Sequence, residues 1–278
     1  MNYTKLKSLV SKKSLGNSDK SQHYFQLFYF ERILDRISKS KYQGQIILKG
    51  GLLLTSIIGD DERTTKDMDV TLKGIPLTQR VVQKIFAEIL SIDIKDGVVF
   101  EVISVKKIAL TKEYQGFKVN ILAKLENNKT YLSIDITAGD IITPREIKYY
   151  YKSIFDDSKT LIMAYNIESI LAEKIHAIIC NGTLNTRLKD YYDIYILMNR
   201  KIKELDKRKL KRAVYNTFNI RKTNLDLNEF SIVIRELELD LNMKERWIVY
   251  RTKNAYAKDI NYEDVICAIK EVLNILIN

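Results

Sequence analysis

The sequence predicts a β-sheet domain of the α/β or α+β class, followed by a mainly α-helical domain. Two observations support this prediction. Before about residue 155, short β-prone runs alternate with amphipathic helical segments. From Leu161 onward, apolar residues recur at helical spacing in one segment after another. We therefore assign residues 1–155 to a sheet domain, with a helical lead-in over 1–40, and residues 156–278 to a helical domain.

Local patterns and chain breakers define the elements of the sheet domain. Apolar residues at helical spacing predict a helix at 18–38 capped by Ser18, a helix at 52–58 ended by Gly59, and a helix capped by Thr78. β-prone runs predict strands at 45–49, 67–72, 98–105, 117–125 and 131–137, the last two joined by a turn at Asn127-Asn128.

The helical domain is expected to begin after the polar stretch at 152–160. Asn166 and Asn261 are residue types that cap helices. The periodicity predicts helices at 166–180, 187–199, 206–219, 228–240 and 261–277.

Composition excludes several classes of protein. Hydrophobic residues make up 46% and charged residues 29% of the 278 residues, with only two prolines, which is typical of an ordered globular protein. No apolar run is long enough to span a membrane, and no secretory signal is present, so we expect a cytoplasmic protein with no membrane partner. Two isolated cysteines and two histidines argue against a disulfide framework, a zinc site and Ser-His-Asp catalysis.

The net charge is +11 and the pI is about 9.3, which favours a polyanionic partner such as RNA. The excess of positive charge is concentrated between Arg200 and Lys222, a stretch with ten lysines and arginines and only two acids, Glu204 and Asp206. A solvated helix face explains this run equally well.

Two features near the first predicted strands suggest metal and phosphate chemistry. Strand alternation places the carboxylates of Asp67 and Asp69 on one face, where their repulsion favours a hard cation such as magnesium between them. Gly50 and Gly51 allow a close backbone approach to a ligand, and a helix after them would aim N–H groups at phosphate. Together they suggest nucleotide chemistry.

Other charged residues have both ordinary and functional interpretations. Asp135, flanked by isoleucines, is either a polar position on a half-exposed strand or a third carboxylate of the same site. Lys174 lies within an apolar helix stripe. It is either a snorkelling side chain, a partner in an internal ion pair, or a phosphate contact. Asp190 and Asp193 share a helix face and could simply pair with Arg187 and Lys189. The adjacent tyrosines, 191 and 192, are core residues or a stacking surface.

These segments together resemble the AbiEii/AbiGii-type nucleotidyltransferases, toxins of bacterial phage-exclusion and toxin-antitoxin systems within the polymerase-beta-like superfamily. The resemblance spans about residues 46 to 200. The matching segments are LKGG at 48–51 followed by RTTKDMDV at 63–70, the strand with Asp135 and Gly139-Asp140 after it, AEK at 172–174, and RLKDYYD at 187–193.

The resemblance implies an α+β fold, with a nucleotidyltransferase-like mixed β-sheet domain, flanking helices and a mainly α-helical C-terminal domain. It implies transfer of a nucleotide from a nucleoside triphosphate (NTP), with Mg²⁺ or Mn²⁺, to an acceptor such as tRNA or another RNA. A cognate antitoxin encoded nearby is a further implied partner.

By the same resemblance, each candidate residue has an expected role. Asp67, Asp69 and Asp135 would be catalytic and bind metal, while Lys174, Asp190 and Asp193 would be further catalytic residues. Nucleotide binding would fall to Gly50, Gly51, Lys174, Arg187 and Lys189. The alternatives are a catalytically silent nucleotide- or RNA-binding module, and a nucleotidyltransferase acting on a small molecule or a protein.

Overall fold

A computed structural model of the chain describes residues 1–109 and 115–278. The described helices are α1 (Tyr3–Ser14), α2 (Ser18–Lys39), α3 (Gly50–Ile58), α4 (Gln79–Leu90), α5 (Ile167–Asn181), α6 (Leu188–Lys201), α7 (Lys207–Ile220), α8 (Leu227–Leu239), α9 (Leu241–Lys253) and α10 (Tyr262–Ile277). The described strands are β1 (Ile46–Lys49), β2 (Met68–Leu72), β3 (Val98–Ala109), β4 (Gln115–Leu125), β5 (Asn128–Ala138), β6 (Ile147–Lys152) and β7 (Lys159–Ala164).

The described residues form two compact units. Unit 1 comprises Met1–Asp60, Thr64–Asp140 and Ile147–Ala164. Unit 2 comprises Asp61–Arg63, Ile141–Glu146 and Tyr165–Asn278. The main division therefore follows β7, whereas the sequence places the junction at residue 155. The polar stretch at 152–160 is the turn region of the β6–β7 hairpin, which pairs with β1 and belongs to the sheet.

Within the described part of the chain, unit 1 is built around a seven-stranded sheet in the order β3-β4-β5-β2-β1-β7-β6. The pairs β2–β5 and β1–β7 are parallel, and the other neighbours are antiparallel. The sheet is therefore mixed, and the predicted α+β class is confirmed.

Strand alternation separates an apolar face of the sheet from a polar one. Met68 and Val70 on β2 are fully buried, as are the neighbouring β5 residues Ile134 and Ile136. Residues between them, including Asp69 and the half-buried Asp135, point to the opposite face. We call this second face, which carries Asp67, Asp69 and Asp135, the carboxylate face.

The apolar face of the sheet is covered by α2 and α4. Helix α2 contacts β5, β7 and α4, and α4 contacts β3 and β4. Phe28 and Phe30 of α2 are fully buried. The helix begins with Asn17 as its cap, since the Asn17 side chain accepts a hydrogen bond from the Lys20 N–H. The expected cap, Ser18, is instead the first residue of the helix.

Unit 2 contains α5–α10. Helix α5 contacts α6 and α7, and α10 contacts α6, α7 and α8. Asn166 caps α5 by accepting a hydrogen bond from the Ser169 N–H, and its amide donates to the carbonyls of Thr143 and Arg145. Asn261 and Asp264 form a capping box at α10. Both caps predicted in this unit are thus observed.

Three elements, β6, β7 and α9, have no counterpart among the predicted ones, while α1 lies within the predicted helical lead-in. Strand β7 covers the first residues of the stretch that was expected to be helical from Leu161 onward. Helix α9 buries Met243 and Trp247, a single i, i+4 pair, so it has no long apolar stripe. In β6 only Tyr151 is buried, which leaves no clear alternation. The β4–β5 turn also falls one residue earlier than predicted, at Glu126-Asn127. None of the described helices combines the length and the apolar composition that crossing a bilayer requires.

Candidate active site on the carboxylate face

A row of four charged residues crosses four neighbouring strands of unit 1. Lys49 on β1 lies opposite Asp69 on β2, Asp69 lies opposite Asp135 on β5, and Asp135 lies opposite Lys118 on β4. Directly opposed residues of neighbouring strands have Cβ atoms about 5 Å apart. We call Lys49, Asp69, Asp135 and Lys118 the charged row. Its two central carboxylates are adjacent, and each has a lysine on its outer side.

Asp67 stands beside the charged row on the same face. It precedes Asp69 by two residues, so both side chains leave the sheet in the same direction. The Ser133 hydroxyl on β5 donates a hydrogen bond to Asp67 Oδ1 at 3.2 Å. The structure therefore brings the three predicted carboxylates, Asp67, Asp69 and Asp135, together on one surface.

Gly50 makes room for Asp69. It begins α3 directly after β1 with φ +64°, a conformation that glycine adopts without strain. A Cβ atom at this position would lie 2.0 Å from Asp69 Oδ2, which is far inside contact distance. The Gly51 N–H also points at Oδ2, with a nitrogen–oxygen distance of 3.4 Å. The glycine pair thus permits the expected close approach, and the group it approaches in the structure is a carboxylate.

The surroundings of Asp69 disfavour its negative charge. Burial raises the pKa of Asp69, and the nearby carboxylates of Asp135 and Asp67 raise it further. The Lys49 ammonium opposes this effect without cancelling it. Lys49 also has a second anionic partner, because its Nζ lies 2.7 Å from Asp140 Oδ2. A cation placed between the aspartates would relieve the repulsion that Lys49 leaves.

Lys118 is the other cation of the charged row. Its Nζ lies 2.7 Å from Asp135 Oδ1. Burial lowers the pKa of Lys118, but the hydrogen bond and charge of Asp135 outweigh that effect and raise it. The Asp135 Oδ1 atom is buried and is held by the Lys118 ammonium as an ion pair.

The chemistry of this donor set fits a hard divalent cation. Carboxylates and a serine hydroxyl supply only oxygen, which Mg²⁺ and Mn²⁺ prefer. The side chains as they stand do not enclose an ion: among residues 1–109 and 115–278, no three His, Cys, Asp or Glu residues are arranged to hold one together. Asp67 and Asp69 are the pair open to a cation, while Lys118 engages Asp135.

Unit 2 contains a separate charged cluster. Asp193 is fully buried and accepts hydrogen bonds from Arg63 Nε at 2.7 Å and Nη2 at 3.2 Å. Lys174 Nζ lies 2.5 Å from Asp193 Oδ2 and 2.9 Å from Asp190 Oδ1. Burial alone would raise the pKa of Asp193, but the charges of Arg63 and Lys174 outweigh it and lower the pKa. Removing one member of a buried ion-pair network of this kind lowers the free energy of unfolding by about 3–5 kcal/mol.

The cluster contains the ion pairs expected for charged residues of α5 and α6, while the functional roles of these residues stay predictions. Lys174, inside its apolar stripe, is an ion-pair partner of two aspartates. Asp190 also pairs with the exposed Arg187, at 3.3 Å, as its i, i+3 spacing predicts. Tyr191 and Tyr192 are fully buried, so they are core residues, and the interpretation as a stacking surface is wrong.

Comparison with known proteins identifies the family. The model of the nucleotidyl transferase AbiEii toxin of a type IV toxin-antitoxin system matches residues 32–263. The chain belongs to the AbiEii family. It is therefore a nucleotidyltransferase toxin by family, and membership implies a cognate antitoxin. No curated protein matches the chain.

Solved structures show the same fold. One similar structure is a Helicobacter pylori protein provisionally described as a nucleotidyltransferase, with TM-score 0.54 and 12% identity over 92% of this chain and 94% of that one. JHP933 from Helicobacter pylori has TM-score 0.52 and 12% identity over 92% of this chain and 91% of that one. At this identity the likeness concerns the fold alone.

Several residues of this AbiEii-family protein escape sequence reasoning. Lys49 and Asp140 lie within the matching segments LKGG and Gly139-Asp140, but nothing local assigns them to the charged row or to its edge. Lys118 and Ser133 become relevant only through strand register. Arg63 meets Asp193 across a separation of 130 residues. A prediction of the β4–β5 register would have placed Lys118 opposite Asp135.

Proposed function

We propose that this AbiEii-family toxin transfers a nucleotide from an NTP to a hydroxyl group of an RNA, with tRNA as the first acceptor to examine. The observation that supports the proposal is the meeting of Asp67, Asp69 and Asp135 on the carboxylate face, with Gly50 shaped around Asp69. Three carboxylates in such proximity are costly for a fold unless they serve a cation or a reaction.

The reaction is an in-line displacement at the α-phosphate. The acceptor hydroxyl oxygen forms a bond to the α-phosphorus, the bond to the leaving oxygen breaks, and pyrophosphate departs. Asp67 and Asp69 would hold Mg²⁺ or Mn²⁺, with Asp135 as third carboxylate, and the ion would supply charge stabilisation and orientation. We propose Asp190 and Asp193 as further active-site acids of the same reaction.

Asp135 and its neighbours handle the acceptor proton. Asp135 accepts the proton of the attacking hydroxyl through its carboxylate. Lys118, at 2.7 Å from this carboxylate, keeps a positive charge next to the site as negative charge develops on phosphate. No histidine is needed for this step.

Nucleotide contacts are assigned to Gly50, Gly51, Lys174, Arg187 and Lys189. The N–H groups at the start of α3 suit a phosphate oxygen. Arg187 has a side chain that is 76% exposed, and a guanidinium is well suited to phosphate. Lys174 supplies a compact ammonium, although Asp190 and Asp193 already engage it.

An RNA partner is supported by the exposed side of α7. Lys207, Arg208 and Arg212 are exposed on this helix, while Leu210 and Val214 are buried on its other side. Lys207 and Arg208, with Lys211, also line a cavity of about 370 Å³ beside the end of α10. A helix face of this charge suits a phosphate backbone.

The test is incubation of the protein with each of four α-³²P-labelled NTPs, Mg²⁺ and total cellular RNA. We expect label in RNA with at least one NTP and no label when EDTA replaces Mg²⁺. Label in a protein or small molecule instead would contradict the RNA acceptor. Absence of label in all three, with NTP still raising the melting temperature, would indicate a catalytically silent binding module.

A further inference from the structure

The carboxylate face continues beyond the charged row onto the broad antiparallel surface of β3, β4 and β5. Two further rows of opposed residues follow along these strands. The row next to the charged row is polar and consists of Ser104, Asn120 and Ser133. The row after it ends in an aromatic residue and consists of Glu101, Leu122 and Tyr131. The face thus changes from charged to polar to partly apolar over three neighbouring rows.

The aromatic end of this surface is open to solvent. Tyr131 is 70% exposed, and Leu122 opposite it is half-buried. The register of β3 shifts between Val102 and Ser104, and the intervening Ile103 is 48% exposed. A single exposed apolar residue needs no explanation. On this open sheet, the exposed Tyr131 and the half-buried Leu122 opposite it form a contact surface.

The polar row connects this aromatic end to the proposed catalytic carboxylates. The Asn120 amide donates to the Ser104 hydroxyl at 2.9 Å, and the Ser133 hydroxyl donates to Asp67 Oδ1 at 3.2 Å. Tyr131 precedes Asp135 by four residues on β5, which corresponds to about 13 Å along a strand. A chain lying across the polar row would therefore extend from Tyr131 to the carboxylates.

Lysines lie at both ends of the surface. Lys106 on β3 is opposite Lys118, next to the carboxylates. At the far end, Lys124 on β4 pairs with Glu101 at 2.8 Å and is opposite Lys129. Ammonium groups suit phosphates, an exposed tyrosine suits a base ring, and amide and hydroxyl groups suit base edges or ribose. Bases inside a duplex are stacked on each other on both faces, so Tyr131 can stack on an unpaired base but not on a base inside a duplex.

We propose that this surface, the β3–β5 part of the carboxylate face, binds an unpaired segment of the acceptor RNA. A base stacks on Tyr131, the row of Ser104, Asn120 and Ser133 contacts the next nucleotide, and the hydroxyl end reaches Asp135. The identity of the bound segment as acceptor rests on the proposed function. The surface itself is specific to unpaired RNA rather than to duplex.

The experiment measures affinity of the full chain for a fluorescein-labelled, mixed-sequence 12-nucleotide RNA by fluorescence anisotropy, without NTP. Tyr131→Ala should weaken binding about tenfold, since one stacked base is lost, and Tyr131→Phe should retain it. Tyr150→Ala is the matched control, because Tyr150 is 64% exposed on the edge strand β6 of the same sheet. The same RNA annealed into a duplex should bind more weakly than the single strand and be insensitive to Tyr131→Ala.

Equal affinities of Tyr131→Ala and Tyr150→Ala for the single strand would overturn the proposal and leave the face to a partner that is not nucleic acid. Equal loss of duplex and single-strand binding would also overturn it, since no unpaired base would then be recognised. The assay is independent of catalysis. If RNA is never labelled while binding depends on Tyr131, the proposed function fails and the RNA surface stands.

Discussion

Gly50 illustrates how one absent side chain positions a carboxylate. The helix α3 starts where β1 ends, and the backbone at Gly50 passes so close to Asp69 that any Cβ would overlap its carboxylate. Asp69 is held there against burial and two neighbouring acids, all of which raise its pKa. A residue kept in an unfavourable electrostatic position by close packing is typical of a functional site.

Gly50→Ala should therefore abolish nucleotide transfer, because the new methyl group displaces the Asp69 carboxylate. Gly74→Ala is the matched control: Gly74 has φ +70°, so an alanine there carries similar backbone strain of about 1–2 kcal/mol, but its Cβ meets no atom within 4 Å. Transfer to RNA and melting temperature are measured for both variants. Equal activity of the two would show that the position of Asp69 is not critical.

The buried cluster of unit 2 shows the limit of reasoning from single residues. Sequence spacing predicts the Arg187–Asp190 pair correctly, since both residues lie on one helix turn. It gives no sign of Arg63 at Asp193, because that contact depends on tertiary folding. Asp193 is also so deeply embedded that loss of activity in a variant would not separate a catalytic role from a structural one.

At the scale of elements, α7 is a helix whose sequence pattern and structure agree. Its apolar positions recur at helical spacing and are buried, and Asp206 caps it by accepting from the N–H groups of Arg208 and Lys209. The remaining face carries exposed basic residues and Tyr215, which is 61% exposed. This arrangement could be predicted because a helix encodes its own two faces within a few turns.

Charge reversal on α7 tests the RNA contact. The triple variant Lys207→Glu, Arg208→Glu and Arg212→Glu should weaken RNA binding at least tenfold and reduce the slope of log K against log salt by about 2, as expected for three lost phosphate contacts. The matched control reverses three exposed lysines of α1, namely Lys5, Lys7 and Lys12. If both triple variants bind RNA equally, the effect is one of net charge and α7 is not a docking surface.

The elements that sequence did not predict share a physical cause. Helix α9 has a single buried i, i+4 pair, and β6 buries one tyrosine. Such segments are stabilised by the neighbours they pair with rather than by a periodic pattern of their own. The sequence pattern therefore did not predict the β6–β7 hairpin, and it indicated a domain linker at the polar turn of this hairpin.

For the whole molecule, the sequence predicted the family and the fold class, and it singled out three carboxylates that the structure brings together on one face. Strand alternation alone places Asp67 and Asp69 on one face. Their meeting with Asp135 and Lys118 depends on which strands are neighbours, and β2 pairs with β5 across an intervening helix and two strands. Contacts of this range follow from sheet topology, which local patterns do not contain.

The proposed role of Asp69 links stability to activity. A carboxyl whose pKa is raised by folding binds its proton more tightly in the folded chain than in the unfolded one. It contributes stability at low pH that is lost as the pH rises through the folded-state pKa. At neutral pH, Asp69→Asn should therefore leave the melting temperature unchanged or raise it. Lys49 does not lose its ion pair in this variant, because its Nζ also contacts Asp140.

The decisive measurement is transfer of α-³²P-labelled nucleotide to RNA by Asp69→Asn at neutral pH, with the melting temperature recorded for the same sample. We predict that labelling falls below detection while the protein melts no earlier than the unsubstituted chain. Asp157→Asn, which alters an exposed acid in the β6–β7 turn, should retain full labelling. Undiminished transfer by a folded Asp69→Asn protein would contradict the assignment of the carboxylate face as the active site.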